Sequence, residues 1–298
     1  MNFLKILDEL KKKYTSLILY CLLDRVPIVV KGDDPFDIDD VLIELSNIVD
    51  FRKEFVFNVD FVSNREYENL INNENIDYNS QRIFVRCPQN VTLLALKKIN
   101  SFRGWLIGFS TSMIKEDLNL VETQLSKELK KFLIITLNRN HISIKLEGFD
   151  LKEIDLSLEN TILRKISEDT EKSIARMKRV VLEKIKNSTV EKSLIRTLLD
   201  FSVEKEELKK NIFKKELRNF HSGSKRAFFI LSRLNLLSKF ETTTTIGSKT
   251  LLETIDYEDA SIERIISFIK DEWNEDFSNL IENAKKASIG DKIQSLWG

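Results

Sequence analysis

Apolar and polar residues along the chain follow two rhythms. From residue 26 to about 146, short apolar runs rich in β-branched and aromatic residues alternate with stretches of helical period. The runs VPIVVK (26–31), EFVFNVDF (54–61), RIFVRC (82–87), WLIGFS (105–110) and FLIITL (132–137) read as strands, and HISIKL (141–146) follows directly. Helical patterns fall between the first five, near 38–49, 64–73, 91–100 and 115–130. Such alternation predicts an α/β unit with a mostly parallel sheet covered on both faces. The last two strands meet across NRN, so that edge is expected to end in an antiparallel hairpin.

After LEGFD the strand-dense pattern stops. Residues 158–187 read as one long charged helix, with Ile162, Ile166, Ile174, Met177, Val181 and Ile185 on a single stripe. This gives four expected units: an α/β domain over 1–150, a helical connector over 151–187, a compact helical unit over 188–256, and an acidic helix with a tail over 257–298.

Composition narrows the class. The 298 residues hold 42% hydrophobic and 32% charged side chains, with 8 Gly and 3 Pro, which suits a globular chain with short loops and many helices. Formal net charge is zero, so no global field favours nucleic acid or acidic membranes. The balance is uneven locally, however. Residues 201–250 hold 11 Lys and Arg against 5 Asp and Glu, and residues 251–298 hold 5 against 11. Cys21 and Cys87 form no Cys-x-x-Cys pair, so they read as buried structural thiols of a reducing, cytoplasmic compartment. At the start, Phe3, Leu4, Leu7 and Leu10 suit an amphipathic helix. The interruption DELKKK argues against a signal peptide or membrane span, so no membrane partner is expected.

The stretch IVVKGDDPFDIDDVLIEL (28–45) runs strand, loop and helix, the junction at which nucleotide-binding proteins cradle phosphate. A working cradle needs several glycines, a Lys for the phosphate charge and a Ser or Thr for magnesium. The loop here, Gly32 to Asp40, has one Gly, no Lys, Ser or Thr, and five Asp. Two unit charges roughly 6 Å apart repel by about 1 kcal/mol even in a near-aqueous dielectric, so triphosphate is excluded and no cofactor is expected. Asp37 is placed to cap the helix, with Asp39 and Asp40 in its first turn. An acidic cation site from Asp33, Asp34 and Asp60 is the functional alternative.

Two resemblances bear on these patterns. Residues 188–256 order as a helix (TVEKSLIRTLLDFS), a second helix (KEELKKNIFKKELRNF), a turn (HSGS), a third helix (SKRAFFILSRLNLLSKF) and a β-hairpin around Ile246-Gly247-Ser248. The stretch ILSRLNLLSKFETTTTIGSKTLLETI in particular resembles the winged helix-turn-helix superfamily. That resemblance implies either duplex DNA as partner or a protein-assembly module. On the DNA reading, Lys225, Arg226, Arg233 and Lys239 on the third helix, with Lys249 on the wing, form one basic face. Lys209, Lys210, Lys214, Lys215 and Arg218 add charge just before it. Separately, VVKGDDPFDIDD followed by SQRIFVRCP looks like the degenerate, nucleotide-inactive P-loop ATPase domain of clamp-loader delta subunits, which implies an α/β unit without ATP chemistry.

Other chemistry is sparse. His141 reads as a turn residue, and His221 lies in a different expected unit. Arg86 and Arg103 stand beside strands three and four and are expected to pair with the acidic loop. The reading reached from sequence is a non-enzymatic, DNA-associated protein whose α/β unit docks a partner. The alternative is an assembly subunit, self-association included, that makes protein contacts only.

Overall fold

The computed structural model describes residues 10, 12–73, 83–112, 115–138, 141–185, 192–240 and 244–282. Helix α1 (Lys12–Leu23) leads into the central strand β1 (Ile28–Gly32), followed by α2 (Pro35–Ile48), β2 (Glu54–Val56), α3 (Asn64–Asn73) and β3 (Phe84–Cys87). A short α4 (Thr92–Ala95) flanked by 3-10 turns precedes β4 (Trp105–Ser110), α5 (Lys115–Glu128), β5 (Phe132–Asn138) and β6 (His141–Glu147). The sheet order is β2-β3-β4-β1-β5-β6, parallel except for the final antiparallel β5–β6 pair. The expected strands, their parallel pairing and the closing hairpin are thus present. Of the expected N-terminal helix stripe, Phe3, Leu4 and Leu7 lie outside the described residues.

Side chains alternate across β1 and divide the core in two. Ile28 and Val30 pack with Ile38, Val41, Leu42 and Leu45 of α2, whereas Val29 faces Ala95, Leu96, Val121 and Leu125 of α4 and α5. The cause is right-handed crossover: the chain leaves β1 toward one sheet edge but returns through β2, β3 and β4 toward the other, so α2 lands on the opposite face from its successors. Gly108 in β4 lets α2 sit close, since a Cβ there would come 2.7 Å from Ile38 and 2.9 Å from Leu42.

The second half is helical: α6 (Ser157–Ile185), α7 (Lys192–Leu198), α8 (Ser202–Ser238), α9 (Ser248–Ile255) and α10 (Ile262–Trp273), with short strands β7 (Ile246–Gly247) and β8 (Ile281–Glu282) paired in parallel. On α6, Ile162, Ile166 and Ile174 are buried as their stripe predicts, and Met177 and Val181 are half-buried. The α2 face of the sheet and the helical half share one apolar core, which continues from Leu42 and Leu45 into Leu217, Phe220, Phe268 and Ile269.

Among the described residues, the turn expected at HSGS and the β-hairpin expected around Ile246-Gly247-Ser248 are not formed. Helix α8 runs 37 residues straight through HSGS, and Ser248–Ile255 is a helix, not the return strand of a hairpin. Thr244 and Thr245 lead instead into β7, whose partner is the distant β8; residues 241–243 of the expected wing lie outside the described residues. Burial explains the uninterrupted helix. Phe213, Leu217, Phe220, Ser224, Ala227 and Leu231 form one buried stripe across the supposed turn. A mid-helix Gly costs about 1 kcal/mol, less than one buried Phe returns. Gly223 is used for close packing, since a Cβ there would meet the Ile255 carbonyl oxygen at 3.2 Å.

Candidate functional site

In an open α/β sheet, ligands bind where neighbouring strands send the chain to opposite faces. Here that point lies between β1 and β4, at Gly32-Asp33 and Ser110-Thr111-Ser112. The chain itself closes this crevice. The Thr111 N–H donates to the Gly32 carbonyl at 2.8 Å, the Thr111 hydroxyl donates to Asp33, and the Ser110 and Ser112 hydroxyls bond each other at 2.6 Å. Lys31, the nearest lysine in sequence, turns to Glu122 of α5 at 3.0 Å.

The cap of α2 lies three residues before the expected one. Asp34, not Asp37, is the N-cap: its carboxylate accepts from the Phe36 N–H at 2.9 Å. Pro35 occupies the first turn, where its missing N–H costs nothing and its fixed φ suits the helix, which is why the helix begins there. Asp37 lies in that first turn and Asp39 accepts from the Gln89 N–H at 3.1 Å. Where a phosphate would sit, the donors already serve the protein's own carboxylates.

The acidic cation site is not assembled. Asp60 accepts from the Val56 N–H at 2.6 Å in the turn after β2, and β2 lies three strand positions from β1, roughly 14 Å at ordinary strand spacing. Among the described residues no group of His, Cys, Asp or Glu is arranged to hold a metal. Arg86 pairs with Glu54 of the neighbouring strand at 2.7 Å, not with the acidic loop, because its parallel register sets it beside β2. Arg103 stands at the opposite sheet edge, in an open cleft of about 580 Å³ with Arg25, Lys130 and Asp271. The C-terminal ends of α1, α5 and α10 converge there, and their carbonyl dipoles account for the gathered cations.

Cys21 and Cys87 are free and buried. Burial raises both thiols, that of Cys87 to about 12, which leaves neither reactive. His141 opens β6 opposite Asn138.

The basic residues of the expected DNA face and those just before it differ in their partners. Lys210 joins α8 to Glu44 of α2 at 2.6 Å, and Arg218 joins it to Asp50 just after α2 through two bonds of 2.8 and 2.7 Å. Lys249 lies on α9 beside Glu253 at 3.5 Å. Lys225 is half-buried, 5.9 Å from the Phe229 ring. Arg226 and Arg233 are exposed on α8 and Lys239 is exposed at its C-cap, and Arg226 reaches the Thr254 carbonyl at 3.5 Å.

Sequence reading missed two buried ionic clusters. Arg264 of α10 donates to Glu159 of α6 at 2.6 Å and to Asp24 after α1 at 2.7 Å. Burial pushes the Glu159 carboxyl up to about 7 against the opposing pull of Arg264, and the two carboxylates raise Arg264 despite its own burial. In the second cluster Arg52 donates to Glu272 at 2.7 Å and to the Leu22 and Leu23 carbonyls at 3.0 and 2.8 Å. His221 stacks on Phe51 and Trp273 with Nε2 3.3 Å from Glu272. Burial works to raise the Glu272 carboxyl, but Arg52 and then His221 more than offset it and hold it below the usual range. These clusters join elements from the two halves, and of their members Asp24 reaches the cleft that holds Arg103.

No protein-family model, curated protein or solved structure matches the chain. No helix among the described residues is long and apolar enough to cross a membrane.

Proposed function

We propose that the protein is a non-enzymatic assembly subunit, a nucleotide-inactive α/β unit fused to a helical unit and acting through protein contacts. One observation carries the reading: the sheet edge where a ligand would bind is occupied by Asp33 and Asp34, while Phe36 beside them stands 83% exposed. By topology the loops and helices that follow the parallel strands share this edge. They also expose Val59 and Val62 after β2 and Leu94 after β3, an apolar rim suited to another protein surface. The resemblance to degenerate P-loop domains is supported by the parallel sheet with a one-glycine loop after its central strand, and the two free thiols suit a reducing cytoplasm. Isothermal titration with Mg–ATP and Mg–GTP tests the reading. No saturable heat is expected at either nucleotide, and micromolar affinity would overturn it.

A DNA-associated role rests on a different observation: Arg226 and Arg233, seven residues apart, project from the same exposed face of α8. Without a wing, such binding would be a helix face laid on the phosphate backbone. A gel-shift titration at two salt concentrations separates the readings, because counterion release makes DNA affinity fall steeply with salt.

A further inference from the structure

The last five turns of α8 carry two stripes of the same spacing. The inward stripe, ending in Ser224, Ala227 and Leu231, is buried against the rest of the protein. The outward stripe is Arg226, Phe229, Arg233 and Leu236, alternating steps of three and four residues, with Leu237 alongside and Phe240 in the turn just past the helix end. That is the spacing with which one helix packs along another. Phe229 is 49% exposed, Leu236 50% and Phe240 73%. A helix apolar on both sides belongs in an interior, and among the described residues this one has a single side covered.

Charge selects what covers the other. Residues 217–240 contain no Asp or Glu, and carry Arg218, Lys225, Arg226, Arg233 and Lys239. A second copy of α8 would set these cations against their own kind, which is repulsive in the low dielectric of a packed interface. The chain beyond Glu282 is also net basic, with Lys285, Lys286 and Lys292 against Asp291. DNA would meet the arginines but leave Phe229, Leu236 and Phe240 against phosphate and sugar. We propose that the outward stripe of α8 docks an acidic amphipathic helix of a partner protein, its apolar side on Phe229, Leu236 and Phe240 and its carboxylates on Arg226 and Arg233. The inference rests on the assembly reading above and specifies its partner chemistry.

The test uses the full chain and three fluorescent probes: a three-heptad helical peptide with Leu at the seam and Glu flanking it, the same peptide with Lys flanking, and a duplex DNA of similar length. The Glu peptide is expected to bind in the ten-micromolar range and the Lys peptide at least tenfold more weakly. Phe229→Ala with Phe240→Ala should weaken the Glu peptide about tenfold, since both rings are exposed and their loss leaves the core intact. Arg226→Glu with Arg233→Glu should invert the preference and favour the Lys peptide, a gain that a misfolded variant cannot produce. Equal binding of both peptides, no binding of either, or binding of DNA alone would overturn the proposal. The first two outcomes leave the assembly reading standing, whereas binding of DNA alone would favour the DNA-associated reading over it.

Discussion

The Arg52 guanidinium and the Glu272 carboxylate meet at 2.7 Å with side chains 0% and 2% exposed, although 220 positions separate them in the chain. Arg52 follows α2 in the α/β half and Glu272 ends α10 in the helical half, so the pair fixes one half on the other. Removing one partner strands a buried charge. Glu272→Ala is therefore expected to cost about 3–5 kcal/mol, whereas Arg52→Met with Glu272→Leu should restore most of the loss. Urea unfolding read by far-UV circular dichroism and by tryptophan fluorescence checks this. A single mutant as stable as the parent would show that the pair does not carry the junction.

Glu159 makes stability depend on pH near neutrality. Its carboxyl, raised by burial to about 7 in the folded protein, returns to the ordinary value near 4.5 on unfolding. A raised folded value means that its contribution is fully present below about 4.5 and is lost as pH rises through about 7. The whole loss is at most on the order of 3 kcal/mol. Glu159→Gln keeps an oxygen acceptor for Arg264 and removes the proton, so the mutant should hold its melting temperature between pH 5 and 8 while the parent's falls. Parallel melting curves over that interval would count against the assignment.

Gly32 tests what the lone glycine of the acidic loop is for. A Cβ there would lie 2.9 Å from the Leu137 carbonyl oxygen and 3.0 Å from the Leu137 Cβ, so β1 and β5 close on each other only without one. Gly32→Ala should lower stability by about 1–3 kcal/mol through this clash alone, with no ligand present. An alanine variant of full stability would return Gly32 to consideration as a residue kept for an approaching ligand.

What was legible in the sequence follows from how local each signal is. Runs such as WLIGFS and FLIITL carry their own period and β-branched content, so β4 and β5 appear where those runs predicted them. The capping error at α2 came from weighing Asp37 as an acceptor without placing Pro35 inside the first turn. The expected turn at HSGS failed for a different reason. Gly and Ser in HSGS have the residue types of a turn, and only the tertiary approach of the Ile255 backbone shows that Gly223 is small to let α8 pack closely. The ionic clusters had no local signal at all: Arg264 meets Asp24 across 240 positions and Glu159 across 105. The charge preceding the expected basic face was misjudged on the same ground, since Lys210 and Arg218 look free in sequence yet bind Glu44 of α2 and Asp50 just beyond it.

The continuity of α8 can be tested at Ser222, whose side chain is exposed. If HSGS were a turn between two helices, proline at its second position would be tolerated, because turns accept its fixed φ and missing N–H. In the observed helix, proline removes the bond from residue 222 to the carbonyl four positions back, and its ring collides with that turn. Ser222→Pro is therefore expected to cost about 3 kcal/mol or more, and Ser222→Ala to be neutral or slightly stabilising, as alanine is the better helix former. The strain would fall between Phe220 and Ala227, where α8 packs on both α9 and α10, so the loss should appear as global unfolding and not as local fraying. Thermal melts of the two variants beside the parent decide it. A proline variant as stable as the alanine variant would mean that the chain turns at HSGS after all, and that the outward stripe beyond it belongs to a separate helix.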